Sequence, residues 1–270
     1  MKSIFLNIIF YFFALTAFAQ HSMTLKEAVE TGIKNNLDVL QADLLMKKAG
    51  IDLNQSKEYM LPDLNANVNY GKNFGRSIDP FTNGYIDQKV NYANSGASSN
   101  LLLFNGFYLQ NLVKANKLGY EAAQMELQQA KDNLTINIIL AYLQVLSAEE
   151  TLKQSQDQVL VTQKQVERLG ILNQSGAVLP ADYYDMKGQL ATDEVSIADN
   201  KNNLATAKLN LSQLLNIPYD KNLEVENIPA ENFNMEYSGN PDDIYQIALK
   251  QFAQVQATHL RVQSAEKNIS

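Results

Sequence analysis

The sequence predicts a mostly α-helical protein in which one β-hairpin is inserted between long helices paired as coiled coils. Three observations carry this. From Phe107 to Gly170 no proline interrupts and apolar residues recur every seven positions. Between Leu64 and Tyr70 the pattern switches to strict alternation. A second heptad-patterned arm runs from Asp182 to Asn216 after a short break. An apolar repeat near 3.5 residues marks a coiled-coil seam, and a repeat of two marks a strand with unlike faces.

The chain opens with the pattern of an export signal. Lys2 gives a positive start, Ile4 to Phe18 is apolar apart from Asn7 and Thr16, and Ala17-Phe18-Ala19 supplies a small-x-small cleavage pattern. Residues 1–19 are therefore read as a signal peptide and set outside the fold. A retained anchor is disfavoured because a spanning helix needs about 20 apolar residues. The chain has no cysteine, so disulfides and lipid attachment through a thiol are excluded, and stability must come from packing and assembly. A net charge of −7 argues against binding nucleic acid or anionic lipid head groups by a basic surface.

Thr24 and Glu27 form a T-x-x-E capping box that starts the first helix. Leu25, Ala28, Val29, Ile33, Leu37, Leu40, Leu44 and Leu45 follow at helical spacing, so one helix is expected to about Met60, where Leu61-Pro62 stops it. Leu64, Ala66, Val68 and Tyr70 then alternate with Asn65, Asn67 and Asn69. In an exported protein this suits a barrel wall with lipid outside and water within, although a half-buried strand of a soluble sheet would look the same. Residues 71–89 read as a loop, from Gly75, Asp79-Pro80 and Asn83-Gly84. Val90 to Phe104 reads as the returning strand, with poor alternation.

In the long helix Ile138, Val145, Leu152, Val159 and Val166 keep strict heptad spacing. Ala141, Ala148, Ser155, Thr162 and Leu169 lie three places after each. Large residues at one position and mostly small ones at the other indicate a tightly packed coil. The second arm repeats this with Leu190, Ile197, Leu204 and Leu211, and adds an edge of Ala191, Ala198 and Ala205, which suits a helix packed on both flanks. At about 1.5 Å per residue the long helix spans roughly 95 Å and the helices near 24–60 and 182–216 roughly 55 and 52 Å, so two short rods end to end match one long rod. Residues 217–241 form an irregular connector. Asn240-Pro241 then resembles a helix start, and Ile244 to Ile269 reads as one helix. An offset of 216 pairs Lys34 with Lys250, Val39 with Val255, Leu44 with Leu260 and Ala49 with Ala265, the mark of an internal repeat. The expected organisation is a signal peptide (1–19), a first repeat (20–216), the connector as an equatorial region (217–241), and the first helix of a truncated second repeat (242–270).

With these residues placed, the chain resembles the TolC-like outer-membrane efflux protein family. Thr24-Leu25-Lys26-Glu27-Ala28 with Asn35-Asn36 is similar to the family's opening. Leu61-Pro62-Asp63-Leu64 is similar to its entry to the first strand, and Leu103-Phe104-Asn105-Gly106 to its exit from the second. Gly176-Ala177-Val178-Leu179-Pro180-Ala181-Asp182 is similar to its hairpin tip. The resemblance implies a homotrimer with a twelve-stranded barrel through the outer membrane, continuous with a helical barrel in the periplasm. It also implies tips that close the inner end and dock a periplasmic adaptor, which links the channel to an inner-membrane transporter. By the same resemblance Asp182 falls on a tip aspartate that helps hold the closed state. Three copies of this chain would bring six strands, fewer than the roughly eight of the smallest membrane barrels.

The tip residues Gly176, Val178, Leu179, Pro180, Ala181 and Asp182 are the candidate docking site, with Asp182 read as the N-cap of the returning helix. Asn65, Asn67 and Asn69 are the candidate lumen lining. No catalytic or metal constellation is visible: His21 and His259 have no convergent partners, and no phosphate loop or Ser-His-Asp set occurs. No enzyme activity and no cofactor are expected. The competing reading is a periplasmic coiled-coil adaptor, which would need β-rich modules flanking its helices.

Overall fold

A computed structural model describes residues 22–229 and 239–269. The signal segment 1–19, His21 and residues 230–238 of the connector lie outside the described residues.

The first helix, α1 (Leu25–Asn35), begins with both halves of the capping box. The Glu27 amide donates to Thr24 Oγ1 at 3.1 Å, and the Thr24 amide donates to Glu27 Oε2 at 3.0 Å. The single helix expected to about Met60 is in fact two. Asn36 is extended (φ −65°, ψ 133°) and α2 (Leu37–Glu58) starts beyond it. The cause is the Asn36 side chain. Its Oδ1 accepts the Asp38 amide at 2.9 Å, and its Nδ2 donates to the Leu214 carbonyl at 3.1 Å. An asparagine that offers the backbone its own hydrogen bonds competes with helix continuation, while a one-residue break barely disturbs the apolar period.

The hairpin is larger than expected. Strand β1 (Asn65–Ile78) pairs antiparallel with β2 (Tyr85–Ser98), in register from Asn65↔Ser98 to Ile78↔Tyr85. The loop expected over 71–89 is thus mostly strand, and the connection shrinks to 79–84. Gly71 looks like a turn signal but lies within β1, where a Cβ would collide with the Tyr92 ring opposite; a strand glycine often marks such close approach. The turn itself is built by Asp79, whose Oδ1 accepts the Phe81 amide at 2.9 Å, and by Asn83, at φ 52°. Strand β2 ends at Ser98, not Phe104. Below it Asp63 and Asn100 clamp the chain, with the Asn100 amide donating to Asp63 Oδ1 at 2.7 Å.

Gly106 and Phe107 turn the chain through left-handed conformations (φ 68° and 66°) into α3, Tyr108–Gln174, a single helix of 67 residues. Helix α4 (Pro180–Leu215) returns along it. Two compact units divide the chain, Met1–Asp43 with Leu127–Ala248, and Leu44–Glu126 with Leu249–Ser270.

In the first unit part of the heptad pattern is core: Ile138, Val145, Ala148, Thr162 and Leu211 are buried, with Ala207. Leu152, Val159, Val166, Leu190, Ile197 and Leu204 are half-buried, and Ala191, Ala198 and Ala205 are exposed. Gly32 lets α1 approach closely, since a Cβ there would collide with Ile138 and lie 3.3 Å from Leu215. Asn216, left-handed at φ 50°, ends α4 and donates from Nδ2 to the Asn35 carbonyl at 3.1 Å. Asn36 and Asn216 thus satisfy the terminal carbonyls of each other's helices. Met23 forms a parallel bridge with Val225, and the fully buried Tyr142 places its hydroxyl 2.8 and 2.7 Å from the carbonyls of Met23 and Glu226.

In the second unit Arg261 donates twice to the Glu126 carboxylate, at 2.9 and 2.8 Å, and Ser264 donates to the Ala115 carbonyl at 2.8 Å. The helix expected over 244–269 is broken at Phe252, giving α5 (Pro241–Gln251) and α6 (Ala253–Ile269). This break lies 216 residues after Asn36, and α5, like α1, has 11 residues.

Candidate channel wall and docking tip

Alternation continues through the whole of β1. Asn65, Asn67, Asn69, Gly71, Asn73 and Gly75 share one face with Ser98, Gly96, Asn94 and Tyr92 of β2. Ala66, Val68, Tyr70, Lys72, Phe74, Arg76 and Ile78 share the other, with Ala97, Ser95, Ala93, Asn91, Lys89, Asp87 and Tyr85. The three candidate lumen asparagines do fall together on one face. No described side chain of residues 65–98 is buried. Val68 is 78% exposed and Phe74 67%, and among the described residues neither face is covered.

The coil contains a polar layer that the heptad reading passed over. Asp193 lies three places after Leu190, inside the α4 seam, and it meets Thr162 of α3. The Thr162 hydroxyl donates to Asp193 Oδ2 at 2.6 Å, and Gln189 Nε2 donates to Oδ1 at 2.7 Å. Gln158 Nε2 in turn donates to Thr162 Oγ1 at 3.1 Å. The Thr162 and Gln189 bonds hold the Asp193 carboxyl below the usual carboxylate range against the opposing effect of burial. A polar pair in a coiled-coil seam specifies register, because sliding either helix leaves its groups unpaired. The signal was present: an acidic residue at a seam position between Leu190 and Ile197. Nearer α1, a groove of about 360 Å³ between α3 and α4 is lined by Gln144, Ser147, Thr151, Asn203, Thr206 and Asn210, all uncharged.

At the tip, α3 ends in a Schellman motif. Gly176 is left-handed (φ 69°), its amide donates to the Asn173 carbonyl at 3.1 Å, and the Ala177 amide donates to Leu172 at 2.9 Å. The expectation that Asp182 caps the returning helix is corrected. Helix α4 starts two residues earlier: Leu179 is the N-cap, without a side-chain bond, and Pro180 occupies the first helical position. Proline's fixed φ and missing amide suit that position. Asp182 is therefore an exposed first-turn residue that favours the helix dipole. Leu179 is 69% exposed, Val178 is half-buried, and Pro180 and Ala181 are exposed.

Residues 28–216 match the outer membrane efflux protein family. The chain belongs to that family. Among curated proteins no sequence matches it. In fold the chain is similar to the CmeC outer membrane channel of Campylobacter jejuni, at 17% identity and a TM-score of 0.75, with 90% of this chain covering 51% of that one. It is also similar to the outer membrane protein VceC of Vibrio cholerae, at 16% identity and a TM-score of 0.71, with coverages of 90% and 57%. A third similar structure is the open state of the MtrE outer membrane channel of Neisseria gonorrhoeae, at 18% identity and a TM-score of 0.69, covering 91% of this chain and 53% of that one. The chain thus spans little more than half the length of these structures.

Membership in the outer membrane efflux protein family makes this a channel-family protein of the outer membrane, and the competing adaptor reading loses its footing. No helix among the described residues is long and apolar enough to cross a membrane. A barrel strand needs no such helix.

Proposed function

We propose that this chain forms part of the wall of a trimeric, passive efflux or secretion conduit that catalyses no reaction. In this reading β1 and β2 stand in the outer membrane with Asn65, Asn67 and Asn69 toward the lumen. The α3–α4 hairpin carries its tip to a periplasmic adaptor, which couples the conduit to an inner-membrane transporter. Residues 20–216 form one repeat, 217–241 its equatorial connector, and 242–270 the opening of the next. One observation supports this above the others: a hairpin of two 14-residue strands with chemically unlike, uncovered faces is joined to a helical pair that packs along its own seam. Strands in lipid need their backbone groups paired in a closed wall, and two strands cannot close one.

The tip reading rests on Val178, Leu179 and Pro180, apolar where a free loop is usually polar. Val178→Asp and Leu179→Asp in the full-length protein test it. The expected outcome is efflux lost at least tenfold, by drug-accumulation assay, with normal trimer yield and barrel insertion. Full efflux in both variants, or loss only through failed assembly, would make the tip a purely structural seal.

A further inference from the structure

The acidic balance of the whole chain conceals one face with the opposite sign. On the face of the hairpin that bears Val68 and Tyr70, the positions nearer the turn carry Lys72, Arg76 and Lys89 against the single acid Asp87. The cations alternate with aromatic rings. Arg76 lies 5.3 Å from the centre of the Tyr85 ring, and Lys89 lies 5.6 Å from that of Phe74. Such stacking holds a cation beside a ring at little entropic cost and leaves its edge donors to other partners.

Their level is also specific. Leu61, Leu64, Leu101 and Leu103 are exposed, and Ala66, Val68 and Tyr70 continue the apolar surface up the strand. At about 3.4 Å per residue and a tilt of about 45°, the 14 residues of β1 rise roughly 32 Å, more than the roughly 25 Å apolar band of a membrane barrel. The cations stand toward the turn end of that rise, interleaved with Phe74, Ile78 and Tyr85. We propose that Lys72, Arg76 and Lys89 form a binding surface for the phosphate groups of lipid head groups in the outer leaflet. The proposal rests on the barrel-wall reading, which puts this face toward lipid. Charge complementarity selects the occupant: three cations interleaved with rings match an anionic head group above an acyl layer.

The test titrates the assembled full-length protein in detergent with bisphosphorylated lipid A, with the same glycolipid stripped of both phosphates, and with inorganic phosphate. Bound lipid is counted by native mass spectrometry, and insertion into vesicles is scored in parallel. The expected preference for the phosphorylated lipid is about tenfold or more, from three cations near the surface. Lys72→Ser, Arg76→Ser and Lys89→Ser combined should abolish that preference while insertion stays normal. Asp87→Asn, which keeps every cation, should strengthen it. Equal binding of both glycolipids, or a preference that survives the triple variant or is unmoved by Asp87→Asn, would overturn the proposal. Displacement by millimolar inorganic phosphate would make it a free-anion site and overturn the head-group assignment. Failure of the unaltered protein to insert at all would instead sink the barrel reading beneath it.

Discussion

The α3–α4 coil and the β1–β2 hairpin solve the burial problem in opposite ways. In the coil Ile138 and Val145 are fully buried and Leu211 likewise, so the seam finds its partner inside the chain. In the hairpin Val68, Tyr70 and Phe74 remain mostly exposed on one face while asparagines cover the other. The coil is stabilised by its own sequence. Among the described residues nothing covers the hairpin, and a two-stranded ribbon is at best marginally stable alone in water.

This contrast predicts unequal responses to the same truncation. Ile138→Ala should cost the helical unit about 2–5 kcal/mol in denaturant unfolding followed by circular dichroism, because it removes buried methylenes and leaves a cavity. Val68→Ala should change the same transition by less than about 0.5 kcal/mol, as at an exposed site, yet reduce membrane insertion. Comparable losses of stability from both would break the comparison.

Tyr142→Phe should have a smaller effect. It removes a hydroxyl that bonds the carbonyls of Met23 and Glu226 and should cost about 1 kcal/mol, with faster amide exchange at Met23 and Glu226 as the local sign. Burial also raises the Tyr142 pKa, so this contact persists across the neutral range.

The Asp193 layer predicts a pH dependence. Its folded pKa is depressed below the unfolded value of about 3.9. Its stabilising contribution is therefore present above that value and is lost as pH falls through the folded one. Between pH 5 and pH 2 the melting temperature of the unaltered protein should fall further than that of Asp193→Asn, measured by helical circular dichroism. Parallel decline would remove Asp193 from the account. Arg261→Ala should cost no more than about 1 kcal/mol, since its pair with Glu126 is partly exposed.

Where the sequence was read correctly, one local rule acted alone. Thr24 and Glu27 specify a helix start, Ile138 to Val166 a seam, and Asn65 to Tyr70 an alternating strand. In some of the misreadings a local signal was overruled by a distant partner. Asn36 breaks a helix through Leu214, 178 positions away. Gly71, the first residue of the expected loop, lies in a strand with the Tyr92 ring against it. Asp193 is a seam residue because Thr162 faces it. At the tip two start signals competed over three residues, and Pro180 prevailed over Asp182 through its fixed φ.

The central claim is that neighbouring residues of β1 face lipid and water in turn. The chain has no cysteine, so single cysteines placed from Leu64 to Tyr70 in the full-length protein report cleanly. Each is exposed in intact outer membranes to a water-soluble thiol reagent, with labelling rates compared along the strand. The account predicts fast labelling at Asn65→Cys, Asn67→Cys and Asn69→Cys, and slow labelling at Leu64→Cys, Ala66→Cys, Val68→Cys and Tyr70→Cys. Uniform rates at all seven positions would contradict it.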